Sequence, residues 1–154
     1  MLLLVQHGKN FPESIDPRKG LTDEGIAEVQ RVTDLLKFQG IRVDRILHSG
    51  KTRARQTAEL LAEALSPTNG VMSETGLGPL DDVASAAKRF SGEAGETALM
   101  IVGHLPFLGK LAGYLLFGNP DTGPFQFQNG GVLCLDRPTT DDPWKIRWAL
   151  VPNP

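Results

Sequence analysis

The apolar run Leu2-Leu3-Leu4-Val5, which stops at Gln6-His7-Gly8, is the feature that most restricts how this chain can fold. A short stretch of Leu and Val with no polar alternation has both faces buried, which suits a parallel strand inside a sheet covered on both sides. The abrupt change to His and Gly then delivers a reactive side chain to the strand's carboxyl end, the edge where open α/β sheets hold their ligands. The layout recurs, since Ala98-Leu99-Met100-Ile101-Val102 runs straight into Gly103-His104. A third apolar stretch, residues 43–48, leads into Lys51-Thr52-Arg53-Ala54-Arg55. Two strands that each end at a His, and a basic stretch after a third, imply a site built for a phosphoryl group.

Between these strands the pattern is helical. Residues 9–20 form a loop broken by Pro12, Pro17 and Gly20. Thr22 reads as an N-cap, with Asp23 and Glu24 favourably placed in the first turn. Ile26, Val29, Val32 and Leu36 follow on one face, and Gly40 supplies a stop. A second helix over residues 51–65 turns Ala54, Ala58, Leu61 and Leu65 inward and ends before Pro67. Residues 71–74 read as a short strand and residues 82–90 as a helix. Residues 98–102 form a strand and residues 106–117 a helix with Pro at its start. Residues 131–135 and 144–150 read as a terminal pair of strands. Strand-helix alternation predicts a three-layer α/β/α sandwich with a mainly parallel central sheet.

The chain's 154 residues, 40% of them hydrophobic, suffice for one domain with a real core and are too few for two ordinary ones. A net charge of −2 gives no global basic surface for nucleic acid or anionic membrane. No apolar stretch approaches the ~20 residues needed to span a bilayer, and the N-terminal run lacks the basic flank and cleavage site of a signal peptide. The single Cys134 lies within Val132-Leu133-Cys134-Leu135 and reads as a small buried hydrophobe. A lone Cys fits a reducing compartment, so the cytoplasm is expected.

Transfer of a phosphoryl group needs an attacking atom in line with the leaving group and positive charge around the equatorial oxygens. A neutral imidazole can attack and carry the group covalently, the part expected of His7. Arg53, opening the second helix, has the planar fork that grips two phosphate oxygens, helped by the free amides of that helix start. His104 is expected across the site as a charge stabiliser. With three His in all and no His-x-His, His-Glu-x-x-His or Cys cluster, no metal site is expected.

Gln6-His7-Gly8, Leu21-Thr22-x-x-Gly25, Ser49-x-x-x-Arg53-Ala54-x-Gln56-Thr57-Ala58 and Val102-Gly103-His104-x-Pro106 together resemble the histidine phosphatase superfamily. The order and spacing run through nearly the whole chain. Its short length and lack of an inserted cap make it most similar to the small SixA-type phosphohistidine phosphatases. The resemblance implies the phosphoglycerate mutase-like fold in a single domain over residues 1–154, and no cofactor. It also implies His7 as nucleophile, Arg53 as phosphate ligand and His104 as second site histidine. Gly8 and Ser49 fall in the same motifs and join the expected substrate-binding set. Small members of the family are associated with phosphohistidine on signalling or carrier proteins, and larger ones with small phosphorylated metabolites.

One departure bears on activity. The family pattern begins Arg-His-Gly, with that Arg a phosphate ligand, whereas here the position is Gln6. Gln donates a hydrogen bond but brings neither charge nor fork, a loss on the order of 2–4 kcal/mol to a developing phosphoryl charge. Lys9, Lys19 and Lys51 are the cations available to compensate. The candidate acids for protonating a leaving group are Asp81 and Asp82, whose alternative role is to cap the third helix. The expected partner is therefore a phosphohistidine-bearing protein, with activity reduced by Gln6. A phospho-ligand-binding relative with weak turnover and a phosphatase of small phosphoesters are the alternatives. His48 either lines the pocket or has a plain strand-end role, and the Phe125-Gln126-Phe127 segment either forms a partner surface or packs against the sheet.

Overall fold

The computed structural model describes residues 1–92 and 98–153. Six strands form one sheet: β1 (Leu2–Gln6), β2 (Arg45–His48), β3 (Val71–Ser73), β4 (Leu99–Gly103), β5 (Val132–Asp136) and β6 (Lys145–Leu150). Their order is β3-β2-β4-β1-β5-β6. The first four run parallel, while β5 lies antiparallel to β1 and β6 antiparallel to β5. This is the three-layer, mainly parallel arrangement expected, with the terminal strand pair added as an antiparallel hairpin on the β1 side.

The four helices are α1 (Asp23–Phe38), α2 (Thr52–Leu65), α3 (Val83–Phe90) and α4 (Phe107–Phe117). Alternate residues of each central strand enter different cores. Leu3, Val5, Met100 and Val102 pack with α1 and α2, through Val29, Val32, Leu36, Ala54, Ala58 and Leu61. Leu2, Leu4, Leu99 and Ile101 pack with α3 and α4, through Ala86, Phe90, Leu108 and Leu111. Full burial of each Leu, Ile or Val contributes about 1.5–3 kcal/mol, so β1 and β4 are anchored from both sides.

The helix boundaries follow the local chemistry. The Thr22 hydroxyl accepts from Gly25 N at 3.0 Å, and Gly40 closes α1 in the left-handed region with φ +68°. The inward face of α1 differs from the pattern in one place: Ile26 is only half-buried, and Gly25 is buried beside it. The reason is a close approach, since a Cβ on Gly25 would lie 2.1 Å from the Lys9 carbonyl oxygen. Leu65 is likewise half-buried at the rim of the α1–α2 core, as the last residue of α2 before Ser66 ends the helix in the left-handed conformation. Cys134 is wholly buried, and burial pushes its thiol up to about 11. Phe127 is buried in the α3–α4 core with Phe125 packed edge-on against it, so this segment belongs to the packing and not to the surface. No helix among the described residues is long and apolar enough to cross a membrane.

Candidate active site

β1 and β4 are neighbours whose crossovers leave in opposite directions, and register pairs Gln6 with Gly103. His7 N donates to Gly103 O at 3.1 Å, which brings the two strand-end histidines together. Their ring centroids are 5.0 Å apart, with the planes inclined by 53°. Both rings are buried, His7 being 8% and His104 2% exposed.

His7 Nδ1 lies 2.8 Å from the Gly8 carbonyl oxygen. A carbonyl can only accept, so the proton sits on Nδ1 and the lone pair is on Nε2. Arg53 Nε donates to that Nε2 at 3.2 Å. Burial, and secondarily the Arg53 charge, hold His7 below its ordinary pKa against the opposing Gly8 hydrogen bond, so the ring is neutral at pH 7. A neutral imidazole whose unprotonated Nε2 faces a guanidinium becomes a nucleophile aimed at an anion once the Arg53 N–H turns from Nε2 to that anion.

The arrangement is held by backbone and hydroxyl contacts. Thr57, with no exposed surface, accepts Gly8 N–H at 2.9 Å and donates to the Arg53 carbonyl at 2.7 Å, so one hydroxyl ties the His7 turn to α2. From the other side Asn129 Nδ2 donates to His7 O at 3.0 Å, and Gly130 N donates to Gln6 O at 3.0 Å. Gln56 Oε1 accepts Leu21 N–H at 2.8 Å and pins the end of the loop after β1 against α2. The Gln56-Thr57 pair was visible as a motif, but its work was not. Asn129 carries no signal beyond a polar-Gly-Gly step ahead of β5.

The second histidine is set differently. His104 Nε2 and Ser49 Oγ are 2.6 Å apart, while Nδ1 is buried with no hydrogen-bond partner. Burial, then electrostatic interaction with His7, Arg53 and Lys51, pushes His104 down to about 3. The ring is therefore neutral in this site. Lys51 is the one of the three candidate lysines whose charge reaches His104 in this way. The first-turn amides of α2 add donors, since Lys51 at its N-cap makes no side-chain cap.

Other expected site residues are engaged elsewhere. Gly8 has its N–H on Thr57 and its C=O on the His7 ring, so its backbone orients the nucleophile. Lys9 pairs with Glu24, and Lys19 lies 3.7 Å from Glu13. Asp82 accepts Ala84 N–H, Ser85 N–H and the Ser85 hydroxyl, and these bonds hold its carboxyl below the usual range. An anion so stabilised is a poor proton donor at neutral pH. Asp81 accepts Gly78 N–H at 2.7 Å. Both acids thus act as caps of the turn and of α3. His48 accepts Gly50 N–H at 3.1 Å and has a strand-end role. Gln6 leaves its Oε1 buried and without a partner.

The family model of the histidine phosphatase superfamily (branch 1) matches residues 2–78. The phosphohistidine phosphatase SixA of Escherichia coli K12 is 28% identical over 137 residues, covering 87% of this chain and 83% of that protein. An uncharacterised protein of Picosynechococcus is 36% identical over 125 residues, covering 78% and 73%. Among solved structures, the protein histidine phosphatase SixA complexed with tungstate superposes with a TM-score of 0.85 at 22% identity, over 98% of this chain and 96% of that one.

Proposed function

The chain belongs to the histidine phosphatase superfamily, and we propose that it is a phosphatase that takes a phosphoryl group onto His7 Nε2 from phosphohistidine on a signalling or carrier protein. The observation that carries this reading is the His7 tautomer, with Nδ1–H on Gly8 O and Nε2 facing Arg53. Residues 1–154 act as one catalytic domain without an inserted cap, in the cytoplasm.

The proton balance favours the phosphohistidine substrate. His7 Nε2 attacks phosphorus as the P–N bond to the substrate imidazole breaks. A substrate ring already protonated on its other nitrogen leaves as neutral imidazole and needs no acid from the enzyme. The phosphoryl group then sits on Nε2 while Nδ1 keeps its proton on Gly8 O. Water attacks phosphorus, the P–Nε2 bond breaks, and His7 departs in the neutral tautomer it started with. The water gives up a proton to the inorganic phosphate or to solvent. An alkyl phosphate, in contrast, needs a proton on its departing alkoxide. Asp81 and Asp82, the candidate donors, are hydrogen-bonded to amides as caps.

Arg53, Lys51 and the α2 amides supply positive potential to the phosphoryl oxygens. His104 lies across from His7; burial is the main reason it is neutral, and a bound dianion offsets the neighbouring positive charges that add to that effect and favours the protonated ring. Phosphate binding is then accompanied by proton uptake at His104. Gln6 supplies only uncharged hydrogen bonds, which supports the second reading, a relative that binds phosphorylated proteins with little turnover.

Phosphate release from a phosphohistidine-bearing protein decides between them when wild type and His7→Ala are compared. Release by the wild type alone, with ³²P trapped on His7 after an acid-free quench, is the expected outcome. Equal release by both refutes the covalent role. Binding of vanadate without release by either favours the second reading.

A further inference from the structure

A cavity of about 570 Å³ opens between α3, α4 and the β5–β6 connection, lined by Ser85, Lys88, Tyr114, Leu115, Arg137 and Trp144 among others. It lies away from the catalytic edge. Register places Leu135 beside Leu2, so the end of β5 that leads to Arg137 is at the start of β1, opposite His7.

Arg137 is unusual there. It is 7% exposed, and no carboxylate among the described residues pairs with it. Its neighbour Asp136 faces the chain's amino terminus at 3.5 Å and Arg147 at 2.8 Å, and Asp142 accepts from Thr139 at 3.0 Å. The Arg137 guanidinium carbon stacks 4.5 Å from the centroid of the Trp144 ring, and Nη1 donates to Thr140 O at 2.7 Å. Arg137 Nε and Trp144 Nε1 are both buried with no hydrogen-bond partner. Buried guanidinium groups are normally matched by a counter-charge, because desolvating an unpaired ion is costly. The ring face and one carbonyl offset only part of that cost.

The Arg137 cation and the exposed ammonium of Lys88 thus line one cavity to which no described lining residue contributes a negative charge, with two unpartnered N–H donors buried in its wall. The polar groups call for an oxyanion. The half-buried Tyr114 and Leu115 give an adjoining wall for an organic body. We infer that this cavity is a second ligand site, which binds a small organic phosphate or carboxylate with its anionic group on Arg137 and Lys88. The site is independent of the chemistry at His7.

Trp144 sits in the site and reports on it. With Trp148→Phe as background, Trp144 is the only remaining one of the chain's two Trp. Its fluorescence is followed during titration with inorganic phosphate, citrate and phenyl phosphate, in parallel in an Arg53→Ala version whose catalytic edge is weakened. The expected result is a saturable change that survives Arg53→Ala, weakens with added salt, and is tightest for the anion class the site prefers. Arg137→Gln lowers the affinity by about tenfold or more, the factor for one charge-assisted contact. Lys88→Ala on the exposed lip lowers it several-fold, and decides the matter if circular dichroism shows Arg137→Gln to be unfolded. No saturable change with any of the three anions overturns the inference, and leaves ordered water as the partner of the two donors. A change lost in Arg53→Ala but intact in Arg137→Gln or Lys88→Ala overturns it too, by assigning the signal to the catalytic edge.

Discussion

Replacing Thr57 by Val tests whether one hydroxyl couples the nucleophile to its phosphate ligand. The substitution keeps the side chain's size but removes both hydrogen bonds, Gly8 N–H at 2.9 Å and the Arg53 carbonyl at 2.7 Å. The Arg53 carbonyl can rely on helical bonding within α2. Gly8 N–H cannot, since Thr57 has no exposed surface and water has no route to the gap. A buried donor left unpaired costs about 1–3 kcal/mol. For a chain of this size that corresponds to a fall in melting temperature of about 2–12 °C. The effect on turnover comes through Gly8, whose carbonyl fixes the His7 ring. If the ring shifts by a fraction of an ångström, kcat falls by about 10–100-fold, since misplacement near 1 Å costs about 10². KM changes little, because Arg53 is still present. The assays are thermal unfolding and phosphate release at saturating substrate, run beside Thr57→Ser. Ser retains the hydroxyl and should recover most of both losses. A Val variant as stable and as active as wild type would refute the coupling, and so would a Ser variant as damaged as Val.

Other outcomes follow from the same contacts. Gln6→Arg restores a charged fork and removes the buried unpartnered Oε1, so kcat on a phosphorylated protein should rise by up to about 10²–10³; an unchanged or lower rate would mean that Lys51 already fills that electrostatic role. Gly25→Ala places a Cβ 2.1 Å from Lys9 O and forces the loop after β1 off α1, so stability should drop by about 1–3 kcal/mol in denaturant unfolding. All three histidines are held below the ordinary 6.5, with burial the leading cause, and His104 is lowered to about 3. The unfolded chain therefore binds protons that the folded chain refuses, so stability is fully present above about pH 6.5 and is lost as pH falls toward 3. Melting curves from pH 7 to pH 4 should show this decline, and His104→Gln should flatten it.

Much of the arrangement was legible in the chain itself. Unbroken apolar runs in β1 and β4 required burial on both faces, and the run of Gly and His after each required a turn at the carboxyl edge. Helix starts and stops at Thr22, Gly40 and Pro67 are local chemistry, written in single residues. Membership of one family was equally plain, because its motifs recur in order over most of the chain. What the sequence could not provide was pairing across distance. The proximity of His7 to His104 depends on β4 lying beside β1, although α1, β2, α2, β3 and α3 lie between them in sequence. The proton on His7 is located by a carbonyl whose position depends on Thr57, some fifty residues away. Charge alone made Lys9 and Lys19 look like candidates, and only the folded arrangement gives them Glu24 and Glu13 as partners. Asp81 and Asp82 likewise had the right chemistry for acids, and the turn before α3 uses their carboxylates as caps. Local propensity and hydrophobic pattern are properties of neighbouring residues and can be read in one dimension. Partner choice and protonation state depend on what burial brings within about 3 Å, and only the tertiary structure decides that.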